Sequence, residues 1–323
     1  MPRAARTAPA LTVVSPPPQA ALEHAVADYL ASVKARGLSR RTVDHYEAVL
    51  RRVFLPFLTK RGVTSVGAID QRALDALSAH LLEDGGARGQ LSRHSVHSYL
   101  RAIGHFVKWA RAEGEITTTA HPQLPKLPHR VLTVLTREQI RDMEDSASTE
   151  RDKLIIRLLA DTGLRLSELL GLTRGDLIEQ GRDRYLKVRG KGARERLVPL
   201  QPALYARLRR YIERGRPADA ATDRVFVTQR RSRISGDYEP LGTRAVQELT
   251  AIVAAKAGVS DRPVNPHAFR HAFATWCLRR GMNPLQLQRI LGHQSLEMIS
   301  TVYSHLAPAD AAAALMAVLR AEE

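Results

Sequence analysis

The residues that could do chemistry sit in short, widely spaced segments. His267-Ala-Phe-Arg270, Leu291-Gly292-His293 and Tyr303-Ser304-His305 follow one another towards the C-terminal end, and about a hundred residues upstream stands Thr162-Gly163-Leu164-Arg165-Leu166-Ser167-Glu168-Leu169. Guanidinium groups clamp the oxygens of a phosphodiester, a phenol attacks phosphorus once its proton is taken, and imidazoles carry protons. The set therefore supports displacement at a phosphodiester without a metal ion.

Each member is weak alone. Among 12 histidines and 41 arginines, chance supplies roughly 1.5 His-x-x-Arg pairs. The pair His267 and Arg270 gains weight from its place: Asn265-Pro266 starts a helix, so both share a face in its first turns, where free N–H groups and the dipole favour phosphate. Arg165 follows the helix end at Thr162-Gly163 and precedes another helix start, with Glu168 three residues on to orient it; a surface ion pair is the bland alternative. Lys191, between Gly190 and Gly192, reads by itself as a solvated turn lysine, although a flexible amine at a loop tip also serves to protonate a leaving oxygen. Tyr303 is one of eight tyrosines, and with a reference pKa near ~10 its phenol attacks only if neighbours stabilise the phenolate or accept its proton. Arg165, Arg270, His267 and His293 would be those neighbours.

The elements that must position these groups fall into two sets. Leu22, Val26, Leu30 and Val33 give an amphipathic helix from about residue 19 to Arg36; Ser39 caps a second to Lys60 that Pro56 should bend; Asp70 caps a third to about Leu82; and Ser92 opens a fourth whose stripe is Val96, Leu100, Ile103, Phe106, Val107 and Ala110. Residues 116–131 carry Pro122, Pro125 and Pro128 and should form an extended, semi-rigid spacer. The second set opens with the capping box Thr136-Arg-Glu-Gln139 and a helix from Thr149 to Asp161 that stops at Gly163. Tyr185 to Arg189 and Arg196 to Leu200 alternate as a β-hairpin or the edge of a small antiparallel sheet, to which Val225-Phe226-Val227 could add a strand. Helices return after Leu241, including Pro266 to Arg280 and Pro284 to Leu291. The expected organisation is a disordered tail over 1–18, an all-α module over 19–115, a linker over 116–131 and a mixed α/β module over 132–323. The fold class is mainly α with a small antiparallel β-sheet.

The formal net charge is +16, with 16 basic against 10 acidic residues in 1–120 and 33 against 23 in 121–323. High-GC coding accounts for the ratio of 41 arginines to 8 lysines but not for the excess over acids. A polyanion touching both halves is the economical partner, and 5% aromatics favour phosphate contacts to a duplex over base stacking on single strands. The lone Cys277 rules out an internal disulfide and cannot build a zinc site by itself; it fits a reducing compartment. No apolar run approaches the ~20 residues of a membrane span.

Taken together and in order, Thr162 to Leu172, Gly190-Lys191-Gly192 through Arg196-Leu-Val-Pro-Leu200, His267-Ala-Phe-Arg270-His-Ala-Phe-Ala-Thr275, Leu291-Gly-His293 and Tyr303-Ser-His305 resemble the tyrosine recombinase (phage integrase) family, over residues 136–306. The upstream helices look like that family's core-binding domain, and the layout is most similar to Xer-type recombinases. The resemblance implies that Tyr303 is the nucleophile, forming a 3′-phosphotyrosyl link and freeing a 5′-hydroxyl. It implies that Arg165 and Arg270 bind the non-bridging oxygens, Lys191 protonates the leaving oxygen, His267 is the acid/base partner, His293 hydrogen-bonds the phosphate and Glu168 supports Arg165. No metal, cofactor or ATP is implied.

The implied partner is double-stranded DNA, with four like or unlike subunits on two sites exchanging strands through a Holliday junction, a further recombinase or activating protein as possible company, and a cytoplasmic, nucleoid-associated location away from membranes. Residues 308–320 should form an alanine-rich helix that docks, as in family members, on a neighbouring subunit, or else packs on its own domain. One departure is the ten-residue step from His293 to Tyr303, where nine is the commonest family spacing; it falls on the loop that docks the nucleophile. The alternatives are a mobile-element integrase or resolvase of the same chemistry, a type IB topoisomerase, and a non-catalytic DNA-binding protein, which would lack the tyrosine or an arginine.

Overall fold

Capping chemistry sets where the helices begin. In this computed structural model, which describes residues 18–83, 85, 89–127, 134–190, 194–259 and 264–292, the side chains of Ser39, Ser92, Thr136 and Thr149 each accept the backbone N–H three residues on. The Thr136 box is reciprocal, with Gln139 Oε1 accepting the Thr136 N–H at 3.0 Å. The chain divides into two compact units, residues 1–130 and 131–323, each with its own core.

The first unit is helical: α1 (Pro18–Ala35), α2 (Arg40–Val49), α3 (Leu55–Lys60), α4 (Gln71–Glu83) and α5 (Arg93–Ala112). The bend expected at Pro56 is a π-helical stretch, Leu50–Phe54, joining α2 to α3. Pro56 has no N–H for the Arg52 carbonyl and its ring would strike it; widening the turn, with Leu55 N–H reaching back to Leu50 O, accommodates both problems. The stripe on α5 is fully buried, from Val96 to Ala110, and such side chains contribute roughly 1.5–3 kcal/mol each when removed from water. The first residues of the segment expected as a spacer, 116–121, pack on this unit. Ile116 and Ala120 are buried in this core, Arg111 donates to the carbonyls of Thr118 and Ala120, and the Gln71 amide exchanges two hydrogen bonds with the His121 backbone. Residues 128–133 lie outside the described residues, as does the tail up to 17.

The second unit places α6 (Arg137–Asp145), α7 (Glu150–Thr162) and α8 (Leu166–Gly171) before a sheet of β1 (Leu177–Gln180), β2 (Asp183–Arg189) and β3 (Glu195–Pro199), then α9 (Pro202–Arg210), α10 (Thr243–Lys256), α11 (Pro266–Arg279) and α12 (Pro284–Leu291). The sheet is antiparallel in the order β1-β2-β3, with Leu186 opposite Val198 and Val188 opposite Arg196. Leu186, Val188 and Val198 turn inward to the core. The third strand is therefore β1 and not Val225 to Val227. Those three are buried, but their backbone bonds go to Leu172 and Leu241 and to single bridges with loop residues, so their apolar run reflects core position without ladder pairing.

Gly163 ends α7 in the left-handed region, φ 61°. A Cβ there would lie 2.6 Å from Phe273 and 2.7 Å from Leu291, so the glycine lets the end of α7 press against α11 and α12. The expected helix over 308–320 falls outside the described residues. Among the described residues, no helix is long and apolar enough to cross a membrane.

Candidate active site

Three arginines from three elements gather at the C-terminal end of α12. Helix ends leave carbonyls without intrahelical donors and carry partial negative charge, which cations satisfy. Arg196 Nε donates to the Ile290 carbonyl at 2.7 Å, Arg270 Nη2 to Leu291 at 2.7 Å, and Arg165 Nη1 and Nη2 to Leu291 and Gly292 at 3.4 and 3.1 Å. Arg270 Nη1 also donates to the Gly163 carbonyl at 2.5 Å. The site is thus pinned to the end of α7 as well.

Glu168 lies beneath this cluster with its side chain 2% exposed. It accepts the Arg165 backbone N–H and Arg165 Nη1, each at 2.9 Å, and both Arg196 terminal nitrogens at 2.9 Å. Burial pushes its carboxyl upward, but the bonds from Arg196 and Arg165 outweigh that and hold it below the usual carboxylate range. Glu168 thus holds both the backbone and the guanidinium of Arg165.

Arg270 is 2% exposed, and its Nε meets no acceptor among the described residues. Burial first, then Arg165, push its guanidinium down to about 9, still cationic at neutral pH. Arg165 keeps 36% of its side chain open to solvent. His267 sits at the start of α11 with an open edge; partial burial, then Arg270 and Arg165, lower its pKa and favour the neutral ring. Its ring packs edge-on against His271, centroids 5.1 Å apart.

The free amides expected at the start of α11 are not free. The Asn265 side chain accepts the N–H groups of His267 and Ala268 at 2.9 and 3.2 Å, so anion binding here must come from side chains. Of the residues singled out in the sequence, Arg165, Glu168, His267 and Arg270 are brought together. Lys191, His293 and Tyr303 lie outside the described residues. Gly190 N–H donates to Arg194 O at 2.8 Å, and a Cβ on Gly190 would lie 3.7 Å from Glu168 Oε1. Among the described residues, no group of three or more His, Cys, Asp and Glu side chains gathers to hold a metal.

Arg196 was not singled out from the sequence. The signal was available in the alternation of β3, where Leu197 is 40% exposed and Arg196 shares the inward face with Val198. A charged side chain facing inward requires a partner.

The profile of the phage integrase family matches residues 133–310. The chain belongs to the phage integrase family. Within it, the chain is 32% identical over 229 residues to tyrosine recombinase XerD of Chlorobaculum tepidum, covering 67% of this chain and 72% of that one. It is 30% identical over 305 residues to tyrosine recombinase XerA of Saccharolobus solfataricus, covering 92% of each. The fold is that of a XerH site-specific recombinase bound to its difH substrate, with TM-score 0.68, 22% identity and 94% of this chain covered against 85% of that one. A lambda integrase dimer bound to a core site gives TM-score 0.66 at 19% identity, with 88% and 96% covered.

Proposed function

We propose that this integrase-family chain is a site-specific DNA recombinase that cuts and rejoins duplex DNA through a 3′-phosphotyrosyl intermediate on Tyr303. The observation that carries this reading is the convergence of Arg165 and Arg270 on one oxygen, the Leu291 carbonyl. Two guanidiniums that reach one oxygen atom are spaced to share the non-bridging oxygens of one phosphate, where charge grows as the phosphorus becomes five-coordinate.

Tyr303 Oη forms the new bond to phosphorus, and the bond to the 5′-oxygen breaks. Neutral His267 takes part in the phenol's proton transfer, Lys191 supplies a proton to the leaving 5′-oxygen, and His293 donates to the phosphate. The reverse steps, with a new 5′-hydroxyl as nucleophile, rejoin the strand. The phosphoester energy is kept in the tyrosyl link, so the cycle balances without ATP. Residues 19–115 act as the core-binding module and 132–323 as the catalytic module. Four subunits on paired sites and a cytoplasmic, nucleoid-associated location complete the reading. Similarity to XerD and XerA proteins over most of the chain favours resolution of chromosome or plasmid dimers; likeness in fold to a Tn1549 integrase at TM-score 0.65 keeps mobile-element integration as the second reading.

A nicked duplex bearing the native site, which loses a short fragment on cleavage and so traps the intermediate, tests this. The wild-type protein should yield a covalent adduct on a denaturing gel and Tyr303→Phe none. An adduct that persists in Tyr303→Phe contradicts the assignment of the nucleophile.

A further inference from the structure

Arg196 commits three donors to fixed acceptors: two to Glu168 and one to the Ile290 carbonyl. Its side chain is only 14% exposed. The two acceptors are the two supports of the arginine pair. Glu168 holds the backbone and guanidinium of Arg165, and the last turn of α12 offers the Leu291 and Gly292 carbonyls to Arg165 and Arg270. The left-handed Gly292, φ 63°, lets that turn approach; a Cβ there would lie 3.0–3.2 Å from the Arg196 guanidinium.

Stability alone does not call for an arginine at this place. A buried ion pair is often no more stabilising than well-packed apolar side chains of similar volume, and the inward face of β3 opposite Val188 suits an aliphatic residue. A third guanidinium beside Arg165 and Arg270 adds repulsion that, among the described residues, Glu168 and the helix end offset. What arginine alone provides is a planar fork that fixes a carboxylate by two parallel bonds while its Nε reaches a third acceptor.

We propose that Arg196 is a positioning residue for strand cleavage, locking Glu168 and the end of α12 together so that Arg165 and Arg270 are held in register for one phosphate. It acts through those two partners and not on the DNA. The proposal rests on the recombinase reading above.

Wild type, Arg196→Met, Arg196→Lys and Glu168→Gln, and the double variant of Arg196→Met with Glu168→Gln, are compared in single-turnover cleavage of the nicked duplex. DNA affinity and thermal unfolding are measured beside the rate. Misplacing a clamp by about 1 Å is worth ~100-fold in rate, so Arg196→Met should lose about that factor at saturating DNA while its affinity stays within about threefold. Arg196→Lys keeps the charge but not the fork, and should remain at least ~10-fold slow. The double variant should be far less impaired than the product of the single losses, because both changes break one unit.

Wild-type-like cleavage by Arg196→Lys, or loss of rate only in proportion to lost affinity or lost fold, would overturn the proposal and leave the recombinase reading intact. If Arg196→Met does not fold, Arg196→Lys decides alone. Absence of any adduct with wild type would instead remove the recombinase reading, and this proposal with it.

Discussion

Arg165 and Arg270 donate to the same backbone oxygen, the Leu291 carbonyl, at 3.4 and 2.7 Å. Arg165 stands at the N-cap position of α8 and Arg270 is buried on α11, so the end of α12 is the common reference for both guanidiniums.

Glu168 should make stability depend on acid. Its pKa is depressed in the folded state, so its contribution is present above the unfolded value near ~4.3 and is lost as pH falls through the folded value. Glu168→Gln should lower stability at neutral pH by about 3 kcal/mol, since it leaves Arg165 and Arg196 without their anion. Urea unfolding from about pH 7 down to about pH 3 should show a flatter acid dependence in the variant. An identical pH dependence in both proteins would show that Glu168 is not the titrating partner.

Gly163→Ala should damage fold and site together. The new Cβ meets Phe273 and Leu291 at 2.6 and 2.7 Å, on a backbone with φ 61°. Overpacking and the left-handed conformation together amount to roughly 2–4 kcal/mol. The Gly163 and Leu291 carbonyls that hold Arg270 would shift, so cleavage should drop even below the midpoint of unfolding. Retained stability in denaturant would contradict the close approach of α7 to α11 and α12.

The fold was legible in the sequence where local chemistry decides it. The caps at Ser39, Ser92, Thr136 and Thr149 and the stop at Gly163 depend on nearest neighbours, and the stripe on α5 depends on one period. Val225 to Val227 misled because an apolar triplet reads alike in a strand and in a buried loop; only the Leu172 and Leu241 backbones, distant in sequence, distinguish them. In the site, Glu168 could be tied to Arg165 because they are three residues apart. The link from Arg196 to Ile290, 94 residues on, and the backbone acceptors at Gly163, Leu291 and Gly292 leave no local mark. The amides at the start of α11 were legible as a helix N-terminus, but Asn265 was both the signal for that start and the group that occupies them.

His267 should give cleavage an acid limb shifted below the ordinary histidine range. Burial and the two neighbouring arginines favour its neutral ring, so the single-turnover rate should hold steady as pH falls through ~6.5 and decline only further down. His267→Gln should cost ~100-fold or more and abolish that limb. A limb centred at or above ~6.5, or one that survives the substitution, would assign the titration to another group.

The most direct measurement replaces the scissile phosphate of the nicked duplex with a methylphosphonate, which removes the negative charge that the guanidiniums would balance. Tyrosyl adduct formation by wild type and by Arg165→Ala is then followed on both substrates. On the phosphodiester, Arg165→Ala should be ~100-fold slower or worse; on the neutral linkage the gap should shrink to a few-fold. A gap of the same size on both substrates would contradict an arginine clamp on the phosphate.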